Sequence, residues 1–461
     1  MRQRRRFLGS LAALGTAWLL PGSAALSPSR RSRPLSRAGT FLWGVGIENT
    51  WMAQADPSKD GARRVLDEYA LTQHDARWKE DLKLAAKLGV NAIRYSIPWY
   101  RAEPSPGSYD FSWLDGPVDL MVNELGIVPI LDLVHYGTSA WMADGIGDER
   151  FPAALALYAQ RIAAHFEGRV THYTPCNEPA VSATFSGAQG TWPPYKRSAR
   201  DWAALGVRIA RAMVLATRAL RSTARKAVII SADAVGWLTA DMLFDTAGRK
   251  TAAREELRAS TGSFPSSLAY GKVAPEDALA TYLVKNGIAR KDIEWFSSNA
   301  APPDVVGYDY YPDLFDYPHD ADYSRGGSVP LAQAAREATE KVEAALRRTQ
   351  AYFGLPIYLM ETSAGRTAEA RAAYATALLD MVHRLRRDEF PIVGLNWWPL
   401  LESFDWNYRN EPSRSASEFL RPGGWNNALY DLKLEADGSL TRVETPAATA
   451  FASIIGRDRR R

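Results

Sequence analysis

The 461-residue chain has a single cysteine, Cys176, which excludes an intramolecular disulfide. Cys176 lies inside an apolar run with no histidine patterned as its base, so it reads as a buried structural thiol and not as a nucleophile. Histidine is also scarce, at six residues, and none shows a ligand spacing such as His-x-His. That argues against a metal-dependent hydrolase, and neither a metal nor another cofactor is expected. Beyond the N-terminal segment no stretch is apolar enough to span a membrane. The net charge is only +4, much of it at the ends, in Arg2, Arg4, Arg5 and Arg6, in 30–37 and in 457–461. No basic face for nucleic acid results. No repeat of 20 to 50 residues and no Pro/Gly-rich linker divides the chain, so one domain is expected.

The N-terminal charge has a pattern. Arg4-Arg5-Arg6-Phe7-Leu8 matches a twin-arginine signal, residues 8–20 supply a moderately apolar core, and Ser23-Ala24-Ala25 offers small residues for cleavage. Residues 1–25 are therefore read as a signal peptide and 26–38, rich in Ser, Pro and Arg, as a flexible leader. Residues 39–456 are read as the folded domain and 457–461 as a basic tail. A periplasmic or secreted location is the expectation.

What is abundant is aromatic: 15 Trp and 20 Tyr. Many lie at the ends of apolar runs, including Trp43, Trp51, Trp99, Trp397, Trp398 and Trp406, where they suit either core packing or stacking on sugar faces. Apolar, β-rich runs occur at 41–47, 91–97, 127–134, 170–177, 227–233, 304–310, 357–361 and 392–398. Helical patterns lie between them, at 75–88, 114–125, 153–166, 201–224, 331–353 and 369–387; the first two stop at Gly89 and Gly126. Strand and helix alternating eight times predict an α/β fold, a single (β/α)8 TIM barrel with long βα loops. The irregular stretch 238–298 is expected to hold a helical insertion after the fifth strand.

Chemistry on such a barrel sits where the strands end. The polar residues at those ends are Glu48, Arg94, His135, Asn177, Glu178, Asp233, Asp309, Tyr310, Glu361 and Asp405. Two of them close apolar runs as buried carboxylates, Glu178 in Thr174-Pro175-Cys176-Asn177-Glu178-Pro179 and Glu361 in Ile357-Tyr358-Leu359-Met360-Glu361. A carboxylate is costly to bury unless it is paired or functional. On strands four and seven of one ring the two face each other across the mouth, as a retaining glycosidase requires: one acid protonates the leaving oxygen and the other attacks the anomeric carbon. Arg94 is a candidate charge partner for Glu361, and Tyr310 a candidate hydrogen-bond donor to it.

These segments resemble family 1 of the glycoside hydrolases, from Thr40 to about Ile455. The resemblance rests on Phe41-Leu42-Trp43-Gly44-Val45, Arg94-Tyr95-Ser96-Ile97-Pro98-Trp99, Leu133-Val134-His135-Tyr136, the Glu178 motif, Val306-Gly307-Tyr308-Asp309-Tyr310-Tyr311 and Trp398-Pro399-Leu400-Leu401-Glu402-Ser403-Phe404-Asp405-Trp406. It implies Glu178 as acid/base and Glu361 as nucleophile. It also implies Asn177 as a ligand of the sugar 2-hydroxyl, His135 as a ligand of a ring hydroxyl, Trp398 as a stacking platform, and Asp405 and Trp406 as contacts to outer hydroxyls. The chain departs from the family pattern in the sugar-gripping shell. Trp51 stands where the family usually has Gln, Thr362-Ser363 follows the nucleophile instead of Asn-Gly, Asp405 replaces Glu, and Asp309 replaces Asn. Glu48 and Trp51 are the candidate sugar contacts of the altered first-strand segment. The expectation is an exported retaining β-glycosidase acting on terminal sugars, by default a β-glucosidase. A transglycosidase on the same site and a non-catalytic carbohydrate-binding barrel are the alternatives. The expected partner is a carbohydrate, with no nucleic acid and no membrane span after signal removal; oligomeric state is left open.

Overall fold

The computed structural model describes residues 40–52, 64–234, 244, 262–312, 330–365, 367–420 and 427–458. The signal, the leader and most of the tail lie outside the described residues. Eight parallel strands form the centre: β1 (Leu42–Ile47), β2 (Ala92–Ser96), β3 (Val128–Asp132), β4 (His172–Thr174), β5 (Val228–Ile229), β6 (Val306–Asp309), β7 (Ile357–Thr362) and β8 (Ile392–Trp397). Each falls within or one residue beyond a run expected from sequence. They pair in the order β5-β4-β3-β2-β1-β8-β7-β6. Parallel bridges Ile230–Val305 and Asp233–Tyr308 join the two ends of that order, with Ser231 N–H donating to Val305 O at 3.1 Å and Asp233 N–H to Gly307 O at 3.0 Å. The sheet is thus a closed barrel. Gly307 makes the closure possible, because a Cβ there would lie 1.8 Å from Ser231 O.

Alternation along the strands divides the core into two layers. Leu42, Ala92, Ile130, Val228, Tyr358 and Met360 pack together inside the barrel. Trp43, Val45, Ile93, Leu131, Leu359 and Leu395 face outward into a much larger cluster with the helices. Those helices are α1 (His74–Lys87), α2 (Ser112–Asp119), α3 (Phe151–His165), α4 (Ala199–Thr223), α5 (Ala278–Lys285), α6 (Arg290–Asn299), α7 (Leu331–Phe353), α8 (Ala368–Arg387) and α9 (Pro446–Asp458). α5, α6 and a short turn of helix at Ser266–Ala269 occupy the expected insertion after the fifth strand. None of the described helices is long and apolar enough to cross a membrane.

Two of the elements not expected from sequence lie near the C-terminal end of the described residues. An antiparallel hairpin, β9 (Tyr430–Leu434) with β10 (Leu440–Glu444), precedes α9. α9 runs to Asp458, into the segment read as a tail, and packs Phe451 against Trp43 and Trp397 at ring separations of 6.3 and 5.9 Å.

Candidate active site

Arg94 is the hub of the barrel mouth. It points inward from β2 and is completely buried. Its guanidinium donates to Glu361 Oε1, to Asp132 Oδ2 at 2.8 Å and to Asn177 Oδ1 at 2.5 Å, and it lies 3.5 Å from Glu48 Oε1. Burial opposes its charge, but Asp132, Glu361, Glu48 and Asp309 outweigh that and hold the guanidinium firmly protonated. Four strands are tied together by one side chain.

Glu361 reaches this hub through a backbone irregularity. On β7, Tyr358 and Met360 face the barrel interior, so strict alternation would send residue 361 outward. The register shifts at this point against both neighbours: Tyr308 pairs with Leu359 but Asp309 with Glu361, and Leu395 pairs with Leu359 but Trp397 with Thr362. A bulge of this kind re-aims the side chain it carries. One Glu361 oxygen pairs with Arg94, and the other accepts from Tyr311 Oη at 2.6 Å. The phenol that reaches Glu361 therefore belongs to Tyr311, which corrects the expectation for Tyr310. Residues 309 and 311 share a face of the strand, whereas Tyr310 turns to the opposite side and packs in the outer core beside Tyr308.

Glu178 follows β4 and precedes Pro179, the first residue of the short helix Pro179–Ala183. Its backbone is left-handed, φ +35°, an uncommon state for a residue with a Cβ. Glu178 N–H donates to Ala232 O at 2.8 Å, which pins the turn against the fifth strand. Tyr136, itself at φ +69°, donates its phenolic hydrogen to Glu178 Oε2. Burial first, and the charge of Glu361 second, push the Glu178 carboxyl up to about 8, against the hydrogen bond from Tyr136. The two glutamates thus occupy different environments, one paired with a guanidinium and one desolvated.

The remaining expected residues sort by what holds them. Asn177 is buried, and because its Oδ1 accepts from Arg94, its Nδ2 is left as a donor with no protein partner among the described residues. His135 Nδ1 lies 2.9 Å from Asp132 Oδ2, and a proton there leaves Nε2 as an acceptor in the neutral ring. Trp398 stands edge-to-face with Tyr311 at 5.8 Å. It meets Glu48 over Gly46, where a Cβ would lie 2.6 Å from Trp398 and 2.4 Å from Glu48. Trp406 packs on Tyr136 and Trp192 at 5.6 and 5.3 Å.

Asp405 and Trp51 are partly committed elsewhere. Asp405 Oδ1 caps the turn Trp406–Arg409 by accepting from Asn407 N–H at 2.8 Å. Trp51 is buried and stacked on Tyr100 at 4.5 Å. Asp233, a strand-end acid, is held by Ser266 and Tyr270 of the insertion. Burial pushes the Cys176 thiol far up, which leaves it no thiolate character.

Three residues at this mouth had no assigned role from sequence: Asp132, Tyr136 and Tyr311. Asp132 carries a signal of its own, a lone acid inside the apolar run 127–134, and Tyr311 could be found from its two-residue spacing to Asp309. Tyr136 has no local signal. Asp309, which ends β6, completes the centre: one carboxylate oxygen from each of Glu178, Asp309 and Glu361 lies within 4.8 Å of the others. These are also the residues among those described whose oxygens converge closely enough to hold a cation.

A closed parallel barrel with two unlike carboxyls facing each other at the C-terminal ends of strands four and seven has the architecture of a glycoside hydrolase. Residues 54–315 match Glycosyl hydrolase family 1, and the chain belongs to that family. It is similar to Beta-glucosidase A of Thermotoga maritima, 24% identical over 413 residues that cover 79% of this chain and 89% of that protein. A more local likeness joins it to a Bifunctional beta-D-glucosidase/beta-D-fucosidase of Bifidobacterium breve, 40% identical over 120 residues, 24% of this chain and 26% of that one. Among solved structures, the beta-glucosidase from Thermotoga maritima in complex with glucoimidazole superposes with a TM-score of 0.67 at 18% identity, covering 91% of this chain and 98% of that one. The protein is a β-glucosidase-like glycoside hydrolase.

Proposed function

We propose that the protein is a retaining β-glycosidase that removes terminal β-linked sugars, glucose by default, through a covalent glycosyl-enzyme. The observation that carries this reading is the placement of Glu178 and Glu361 oxygens within 4.8 Å. Retaining enzymes hold their carboxyl groups about 5–5.5 Å apart, whereas inverting enzymes need room for a water between them. Glu361, paired with Arg94 and Tyr311, attacks the anomeric carbon. Glu178, protonated up to about pH 8, gives its proton to the departing oxygen as that bond breaks. The glycosyl ester that forms removes the negative charge from Glu361, and with it a cause of the raised Glu178 pKa. Glu178 then takes a proton from water, whose oxygen attacks the anomeric carbon and releases Glu361. Asn177 Nδ2 is placed to donate to the 2-hydroxyl, a bond that strengthens in the transition state. His135, Trp398 and Trp406 line the same mouth as sugar contacts.

Turnover of a panel of nitrophenyl β-glycosides tests this reading. Glu361→Ala should be inactive, and azide should restore Glu178→Ala on the activated substrate with a β-configured glycosyl azide as product. An α-configured product, or an active Glu361→Ala, would exclude the retaining roles. The same proposal takes residues 1–25 as a twin-arginine signal. Replacing Arg4 and Arg5 by Lys should leave the protein in the cytoplasm in a fractionation assay; unchanged export would remove that part.

A further inference from the structure

Asp309 is the acid at the centre that the hydrolysis just described does not use. It is completely buried, and neither carboxylate oxygen has a hydrogen-bond partner among the described residues. It nevertheless points into the reacting space, with one oxygen within 4.8 Å of both Glu178 and Glu361. Arg94 is the cation that offsets its charge, and Arg94 is already engaged by Glu361, Asp132 and Asn177. One guanidinium therefore serves Glu48, Asp132, Asp309 and Glu361, with Glu178 adjacent. Burial and the neighbouring acids hold the unpartnered Asp309 carboxyl in its protonated form. A ligand that brings positive charge to it supplies the missing partner, and Asp309 ionises as the ligand binds, its proton leaving to solvent.

The position of Asp309 specifies which part of a ligand that is. The line from Glu178 on the fourth strand to Glu361 on the seventh divides the mouth. Arg94, His135 and Trp398 all come from strands on one side of it, β2, β3 and β8, and Asn177 turns toward that side to meet Arg94. Asp309 comes from the other side, where β5 contributes the further buried acid Asp233. With the sugar ring on the side of its candidate ligands, the leaving group departs on the side of Asp309. The geometry points to a substrate whose leaving group carries a positively charged nitrogen a few bonds from the glycosidic oxygen, received by Asp309. This inference rests on the retaining-glycosidase reading and adds the class of leaving group to it. Asparagine, which the family pattern has at this position, would offer no charge for such a group.

A matched pair of substrates tests it: the 2-(aminomethyl)phenyl and 2-(hydroxymethyl)phenyl β-glycosides of whichever sugar the nitrophenyl panel selects. They differ only in whether the ortho group is an ammonium at about pH 6. The wild-type enzyme should favour the ammonium compound in kcat/KM, and D309N should lose that preference, the ratio falling by about 10- to 100-fold, as expected for a charge-assisted hydrogen bond. The ratio is read whatever the absolute rate of D309N. Calorimetric affinities of Glu361→Ala, with and without D309N, supply the same ratio without turnover. A wild-type ratio at or below one, or a ratio that D309N leaves unchanged, would overturn the inference while the glycosidase reading stands. Failure of every glycoside, nitrophenyl compounds included, would overturn both.

Discussion

Tyr136 and Tyr311 each donate one hydrogen bond, to Glu178 and to Glu361, with different consequences. A donor to the charged form of a carboxyl lowers its pKa, and Tyr136 acts on Glu178 in that direction against burial. The proposed role of Glu178 as the acid requires its proton, so kcat/KM on substrates with a poor leaving group should fall above about pH 8. Glu178→Gln should lose turnover of those substrates but keep it on an activated aryl glycoside, whose leaving group needs no proton, and there without an alkaline limb. Tyr136→Phe should move the limb to higher pH by roughly one pH unit, the size of one hydrogen bond. A limb that stays in place in Tyr136→Phe would assign it to another group. The glutamates are legible in the sequence because each closes an apolar run, where a charge is conspicuous. The tyrosines that tune them are not, because Tyr136 and Tyr311 are surrounded by other aromatics and only the backbone turn at φ +69° or the strand face selects them.

At the level of elements, the eight strands are legible because both their faces are buried and the runs are continuous. The bulge that brings Glu361 inward is not: it depends on pairing with β6 and β8 and leaves no trace in β7 itself. The hairpin β9–β10 escapes for a different reason. Lys433, Leu434, Thr441 and Val443 are exposed, so its apolar pattern is short, and part of its hold on the barrel is ionic. Arg442 donates to both oxygens of Asp81 on α1, at 2.8 and 3.0 Å, and to Thr72 O at 2.9 Å. Asp81 in turn meets His74 Nδ1 at 2.8 Å, and His74 Nε2 meets Tyr95 Oη at 2.8 Å. The whole chain of contacts is buried, so removing one partner strands the other. Arg442→Met should lower the unfolding free energy by about 3–5 kcal/mol, because Asp81 keeps its charge without its main donor. Pairing it with Asp81→Leu should recover much of that loss. Denaturant titration of the single and double variants reads the difference, and additive losses would show that the two residues act independently.

The whole molecule carries its site as an electrostatic load. Burial pushes both Glu178 and Glu68 from the ordinary 4.5 up to about 8, and pushes Glu48 and Asp309 well above their usual range. Between about pH 4.5 and 8 the folded protein retains protons that the unfolded chain has released, so stability falls as pH rises through that window. Asp81 works in the other direction. Burial raises its pKa, but the bonds from His74 and Arg442 outweigh this and hold it below 3.8, so its contribution is lost as pH falls through the acid range. Together these groups place maximal stability in mildly acidic solution, at about pH 4 to 5. The urea midpoint should therefore be higher at about pH 5 than at about pH 8.5. Glu68→Gln and Glu178→Gln should each flatten that slope, being more stable than the wild type at the alkaline end by on the order of a few kcal/mol. A midpoint that rises with pH over this range would mean that the buried acids are charged and compensated in the folded state. The expected Glu178→Gln variant is more robust at alkaline pH and unable to protonate an ordinary leaving group. The desolvation that makes Glu178 an acid at neutral pH is then the same desolvation that costs the fold stability there.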